Sequence, residues 1–372
     1  MPEVVPEVCV LLTPRALGGH EKALLGWLAD AVRMEALRPR IVASTRDLQQ
    51  ACDRAGLAAC VQQDADGAAG SGQASRLGLL AVLRRWPVGR PLLLAPGVLH
   101  SSAWLLAAAV ALGHRVWVYV PMTHSAVRMN YRWAALRDVA LAPWLRRVEG
   151  WITIDDAHAR QLDTLWQVPA PVYVLPNVYS MDPAAGRRAD ASGAALRVLF
   201  LGRFDMHQKG LDWLVGVLRA RPPWAMCYRW QFQGRGPGEG ALQELASALG
   251  PHRVQVQPFG PVDDALAVSD VLLLPSRFEG VPLVALEATS YGVPVIASQE
   301  TGLSPLLPTE SLFKFGDAAG LQAALQSLRE VDARRAAVEY SRNRIIVNMP
   351  PSRYHRARRT IVRALQQPAD PR

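Results

Sequence analysis

Lysine is almost missing from this chain. Of 41 basic residues, only Lys22, Lys209 and Lys314 are not arginine. Against that background each lysine stands out, because a compact ammonium does work a planar guanidinium cannot. Cysteine is scarce too: Cys9, Cys52, Cys60 and Cys227 are scattered without a CxxC spacing. That excludes a disulfide framework and a cysteine zinc site, and it fits a reducing compartment. Long apolar runs are absent. The longest, SAWLLAAAVALG at 102–113, stops at His114-Arg115, too short to cross a bilayer. The opening MPEVVPEVCVLL lacks the basic start of a secretory signal. There is no low-complexity tract and no aromatic-rich RNP strand of an RNA-binding module. These absences predict a cytoplasmic protein, soluble or resting on the inner face of a membrane.

What is present is bulk and positive charge. The chain has 372 residues, half of them hydrophobic, which suits two domains with cores that need no staples. The formal net charge of +9 calls for an anionic partner, whether nucleotide phosphates, acidic lipid or nucleic acid. Short apolar runs alternate with amphipathic segments through the first half: VCVLL, RIVAS, PLLLAPG, HRVWVYVP, GWITID and VYVLPN read as strands. The turn-rich stretch MDPAAGRRADASGAA, 181–195, reads as a linker. The alternation then restarts with LRVLFLG, RWQFQG, RVQVQP, DVLLLPS and VPVIAS. Such alternation marks parallel sheets covered by helices. It predicts domains at 1–180 and 195–348, followed by a basic helix at 349–372.

One unit carries the sharpest signal. DVLLLPS is a buried strand, RFEGVPLVALEATSYG reads as a turn and a helix, and VPVIAS returns as a strand. Pro282 suits a helix start, where its missing N–H is no loss, and Gly292 suits the helix end. A helix start offers amides and a positive dipole to phosphate. Glu279 and Glu287 flank it, about 12 Å apart if the whole stretch is helical. Two carboxylates so placed can grip both ends of a nucleoside diphosphate sugar, whose hydroxyls lie on either side of its phosphates.

FEGVPLVALEATSYGVPVIAS resembles the E-x7-E signature of the retaining GT-B glycosyltransferases of family 4, and LGRFDMHQKGLDWLV is similar to that family's GR…KG segment. The likeness covers most of the chain, closely over 198–302 and loosely before. It implies a GT-B fold: two Rossmann-like doubly wound parallel-sheet domains facing across a cleft, with the tail helix crossing back to the first domain. By resemblance, Glu279 contacts the donor sugar and Glu287 the ribose, while Gly280, Val281, Pro282 and Leu283 line the helix start. Arg203 and Lys209 match the cations that neutralise the diphosphate, with Gly202 beside them. LGGHEKALL resembles the family's first glycine-rich turn through Gly18 and Gly19, although a plain tight turn reads the same way. His124, after the strand in VYVPMTHSAV, is similar in position to a histidine facing the donor; a structural histidine is the alternative, and His100 is a weaker rival. Gly234 opens QGRGPGEG, which mimics a dinucleotide fingerprint but holds Pro237 within the loop and lies outside a first βα turn. It resembles instead the wall of the family's nucleotide pocket. In one place the chain departs from the family, since QETGLSPLLP stands where a Gly-Gly turn is usual.

The implied reaction is transfer of a sugar from a UDP- or GDP-sugar to an acceptor hydroxyl with retention, in cell-surface polysaccharide or glycolipid synthesis. No metal and no cofactor are expected. Asp64 and Asp66 form a DxD triplet, but in an Ala/Gly-rich loop. Asp155-Asp156, ending the GWITID strand, reads as a helix cap, with a place lining the cleft as the alternative. The segment 127–150, with Arg128, Arg132, Arg137, Arg146 and Arg147 among Tyr131, Trp133 and Trp144, reads equally as a helix packed on the sheet or as a surface for anionic lipid. The rival functions are a noncatalytic nucleotide-sugar or nucleic-acid binder, and an epimerase or phosphorylase on the same fold.

Overall fold

A computed structural model describes residues 5–14, 18–34, 36–61, 74–177 and 195–367. The DxD triplet and nearly all of the expected linker lie outside them. Contacts divide the chain into two units: Met1–Val178 with Pro351–Arg372, and Tyr179–Pro350.

The first unit alternates β1 (Glu7–Leu12), α1 (Gly19–Arg33), β2 (Arg38–Ala43), α2 (Arg46–Arg54), β3 (Ala59–Val61), α3 (Arg76–Arg85), β4 (Pro91–Ala95), α4 (Ala103–Ala111), β5 (Arg115–Tyr119), α5 (Ala134–Leu145), β6 (Gly150–Thr153), α6 (Asp156–Thr164) and β7 (Val172–Val174). The strands form one parallel sheet in the order β3-β2-β1-β4-β5-β6-β7. Because helices cover both faces, β4 is apolar and buried throughout, and β1 is so from Val8 onward.

The second unit runs β8 (Arg197–Arg203), α7 (Leu211–Arg219), β9 (Arg229–Arg235), α8 (Glu239–Leu249), β10 (Val254–Gln257), α9 (Val262–Ala267), β11 (Val271–Leu274), α10 (Leu283–Tyr291), β12 (Val295–Ser298), β13 (Leu312–Phe313), α11 (Ala318–Ser327) and α12 (Val331–Asn348). Its parallel sheet has the order β10-β9-β8-β11-β12-β13. In both sheets the strand order reverses beside the first strand, between β1 and β4 and between β8 and β11. Open sheets of this kind take ligands outside the carboxyl ends of the strands at that reversal.

The last helix, α13 (Pro351–Gln366), belongs to the first unit. It starts at the double proline and buries Tyr354, Ile361, Val362 and Leu365 in the core beside α1. Carboxylates fix its basic face: Tyr354 donates to Asp30 at 3.1 Å, and Arg353 donates to both oxygens of Asp156. Two sequence expectations change. The helix of 127–150 is shorter: Trp133 sits at φ 60 as its N-cap, so α5 begins only at Ala134. Pro282 is an extended N-cap rather than the first helical residue. Glu279 therefore precedes the helix, and a helical 12 Å spacing between Glu279 and Glu287 does not apply.

Candidate functional site

At the reversal in the second unit, two loops are bound together. One follows β8, whose last residue is Arg203, and carries Gln208 and Lys209; the other follows β11 and carries Ser276, Arg277 and Glu279. Gly210 lets them touch, having φ +66 and a position where a Cβ would lie 2.0 Å from the Pro275 carbonyl oxygen. Arg277 fastens them. Its backbone N–H donates to the Gln208 carbonyl at 2.9 Å, and its guanidinium donates to the His207 carbonyl at 2.6 Å and to both Asp212 oxygens at 2.7 and 2.8 Å. The guanidinium also lies over the Phe315 ring, 4.5 Å from its centroid.

The result is a nearly buried ion pair. The Lys209 ammonium contacts Glu279 Oε1, with side chains 12% and 6% exposed, while Ser276 Oγ donates to Glu279 Oε2 at 2.9 Å. Arg203 is half-exposed and donates to Gln208 Oε1 at 2.7 Å. Beyond Glu279, Gly280 and Val281 lead to the Pro282 N-cap, whose side chain supplies no hydrogen-bonding cap to α10. The first-turn amides of Leu283 and Val284 thus meet no capping side chain, and the helix dipole points at the same place. Glu287 is half-buried in the second turn of α10.

The segment that departs from the family pattern builds this loop from behind. Thr301 forms a parallel bridge with Glu279, and the Gly302 N–H reaches the carbonyls of Glu279 and Gly280, each at 3.0 Å. A Cβ on Gly302 would stand 2.9 Å from the Gly280 carbonyl carbon. Gly234 also has a packing reason, since a Cβ there would fall 1.8 Å from the Gly202 carbonyl oxygen where β8 and β9 end side by side.

The first unit supplies a second, separate cluster. His124 lies in the turn after β5 and is 5% exposed. Its ring is 5.3 Å from that of His158, whose Nδ1 is 2.8 Å from Asp155 Oδ1. Asp155 is also the N-cap of α6, accepting from the His158 amide at 2.8 Å. Thr123 Oγ1 donates to Gln161 at 2.8 Å, the Trp166 indole donates to the Thr123 carbonyl at 2.7 Å, and the His100 ring hydrogen-bonds the backbone of His124. Burial, then the neighbouring His158 and Arg128, pushes the His124 pKa down to about 3, so its imidazole is neutral at physiological pH. At the end of β1, Gly18 is the N-cap of α1, and its N–H donates to Glu21 Oε2 at 2.8 Å. Gly97, after β4, has φ +72, and a Cβ on it would sit 3.3 Å from Glu21 Oε1.

The structure thus brings Arg203, Lys209, Glu279 and 280–283 to one place, with Gly202 and Gly234 on the strand ends beside it. Gly18, Gly19 and His124 lie at the ends of other strands, in the first unit. Reading the sequence missed Gln208, Ser276, Arg277 and Thr301, which hold the charged pair without being charged partners of it. Among the described residues, no three His, Cys, Asp or Glu side chains converge as metal ligands, and no helix is long and apolar enough to cross a membrane.

Residues 153–365 match the family model described as "Family 4 Glycosyltransferase in conflict systems". An uncharacterised 41.2 kDa protein in the cps region of Klebsiella pneumoniae is 35% identical over 131 residues, 33% of this chain and 34% of that protein. The phosphatidyl-myo-inositol mannosyltransferase of Mycobacterium leprae is 28% identical over 271 residues, 68% of each chain. The chain therefore spans about a third of the first relative and 68% of the second. Among solved structures, Anabaena Alr3699/HepE in complex with UDP-glucose superposes with a TM-score of 0.72 at 14% identity, covering 95% of this chain and 99% of that one.

Proposed function

Since the chain belongs to the family 4 glycosyltransferases and has the GT-B fold, we propose that it moves a sugar from a UDP- or GDP-sugar to a saccharide or lipid-linked acceptor hydroxyl, with retention and without a metal. The observation that carries this is the Lys209–Glu279 pair beside the side-chain-uncapped start of α10. A diphosphate set there meets Lys209, Arg203 and the amides after Pro282. Lys209 exchanges a carboxylate oxygen for a phosphate oxygen, while Ser276 keeps Glu279 in place to accept from a sugar hydroxyl. Glu287, further along α10, is assigned to the ribose. In the transfer, the anomeric carbon–oxygen bond breaks with its electron pair going to the diphosphate. The acceptor oxygen bonds to the anomeric carbon and gives its proton to the departing phosphate. Cations and amides fixed in advance on that developing charge lower the barrier. His124 is assigned to the donor sugar as a neutral hydrogen-bonding group.

Turnover against UDP-, GDP-, ADP- and TDP-sugars, each with chelator, tests this reading. Transfer from UDP- or GDP-sugar that survives chelator and is lost in Lys209→Ala and Glu279→Ala supports it. Full activity in both variants overturns the site, and loss on chelation overturns the metal-free chemistry.

A membrane surface joins the proposal through α5. Trp133, Leu136 and Val139 are 68%, 66% and 71% exposed, among the exposed Arg128, Arg132, Arg137, Arg146 and Arg147. Apolar side chains ringed by arginines suit an anionic bilayer. This reading favours a lipid-linked acceptor.

A further inference from the structure

A second feature lies on the sheet of the second unit, away from the charged pair. Parallel sheets are normally covered on both faces. Here the crossover from β10 to β11 is the six-residue α9, whose Ala265 and Leu266 pack on Leu199 and Leu201 of β8 and on Leu272 and Leu274 of β11. Beyond them, one face of β9 and β10 stays open as a trough of about 550 Å³. Its floor is a duplicated pattern. RWQFQ on β9 and RVQVQ at β10 lie in parallel register, with Gln255 beside Gln231 and Gln257 beside Gln233. Side chains alternate across a strand, so the apolar members Trp230, Phe232 and Val254 enter the core on the other face. Each pair of glutamines is preceded, on the same face, by an arginine: Arg229 and Arg253.

Neither feature suits a merely wetted edge. Open edges are ordinarily kept solvated by charge, above all lysine, whereas this floor holds four uncharged carboxamides. Arg229 starts β9 and Arg253 ends the turn that leads into the neighbouring β10, and like charges brought close together repel. The next arginine in the row, Arg197, is neutralised by Asp270 at 3.0 Å. No carboxylate pairs with Arg229 or Arg253 among the described residues.

We propose that this face binds a short acidic oligosaccharide. Its anionic group sits between Arg229 and Arg253, and its hydroxyls lie along the two glutamine pairs. A carboxamide donates and accepts at once, as neighbouring sugar hydroxyls require, and a guanidinium fork matches a carboxylate. The trough has the volume of a small-ligand site. A protein partner would need an apolar centre, but the exposed apolar residues of the lining are only Pro251, Pro261 and Val268, against a floor of arginines and carboxamides. A nucleic-acid strand would need a platform of stacking aromatics, and of the two rings in the lining Trp230 is buried, which leaves only His252 exposed. The saccharide class rests on the reading of the chain as a glycosyltransferase; the anionic end rests on the arginine pair alone.

Calorimetric titration of the full chain with trigalacturonate, maltotriose and inorganic phosphate tests this. Trigalacturonate should bind at least ten times more tightly than maltotriose or phosphate, and saturating UDP should not displace it. Arg253→Ala and Gln255→Ala, both at exposed positions, should each weaken it several-fold while leaving UDP binding unchanged. No binding, equal binding of maltotriose or phosphate, or displacement by UDP overturns the proposal. So does self-association that the same two variants abolish, since a second copy would then occupy the face. If UDP itself does not bind, the donor reading fails while the trigalacturonate result still decides the trough.

Discussion

Lys209 and Glu279 are too enclosed to be separated cheaply. With both side chains nearly buried, removing one charge leaves the other without a partner, which costs about 3–5 kcal/mol in comparable pairs. Lys209→Met and Glu279→Gln should each lower stability by about 3 kcal/mol in urea denaturation. The double variant Lys209→Met/Glu279→Leu should recover most of that loss yet remain inactive, which separates the structural from the catalytic part of the pair. If the double variant is no more stable than either single one, the two charges are not coupled. His124 gives a second residue-scale outcome. Its folded pKa of about 3 lies below the ordinary 6.5, so the unfolded chain binds more protons as pH falls between those values. Stability due to His124 is therefore fully present above about pH 6.5 and lost progressively as pH falls towards 3. His124→Phe should flatten that part of the stability–pH curve; an unchanged slope would show that other groups set it. His100 and His114, also lowered mainly by burial, contribute with the same sign.

At the scale of the element, the loops after β8 and β11 work as one body because Arg277 bridges them. Lysine cannot reproduce that fork. Arg277→Lys should let Lys209 and Glu279 drift apart by a fraction of an ångström and lower kcat roughly 10- to 100-fold, with circular dichroism unchanged. Wild-type kcat would show that the loops hold without it. This is also where sequence reading stopped short. The strands were legible because parallel strands buried on both faces appear as apolar runs such as VLLL and PLLLA. The charged residues were legible because lysine is rare here and because E-x7-E resembles a known pattern. Arg277, Ser276 and Thr301 were not, since each acts through a neighbour distant in sequence, and register and loop contact leave no local signature. Pro282 misled for a related reason: proline suits N1 and N-cap alike, and only the Thr301 bridge at Glu279 shows that the chain is still extended there. The R-x-Q-x-Q shared by β9 and β10 went unread as a repeat, because its pairing into one face needed the strand order.

For the whole molecule, the net charge of +9 matters most where it gathers around apolar side chains. Each arginine near an anionic bilayer is worth about 1 kcal/mol, screened within a Debye length. Full-length protein should sediment with phosphatidylglycerol vesicles and not with phosphatidylcholine vesicles, and 0.5 M salt should release most of it. Trp133→Ser/Leu136→Ser should bind vesicles more weakly while turning over a water-soluble acceptor at the wild-type rate. Binding that ignores lipid charge, or that survives the double substitution, would remove α5 from the account. The closing helix α13 brings arginines back to the first unit, where Asp30 and Asp156 neutralise part of that charge.

The most direct test is a crystal structure with the tighter-binding of UDP and GDP. The diphosphate should lie within hydrogen-bonding distance of Lys209 Nζ, Arg203 and the amides that open α10, with Glu287 on the ribose. A nucleotide bound elsewhere in the chain, with Lys209 still held by Glu279, would contradict the account.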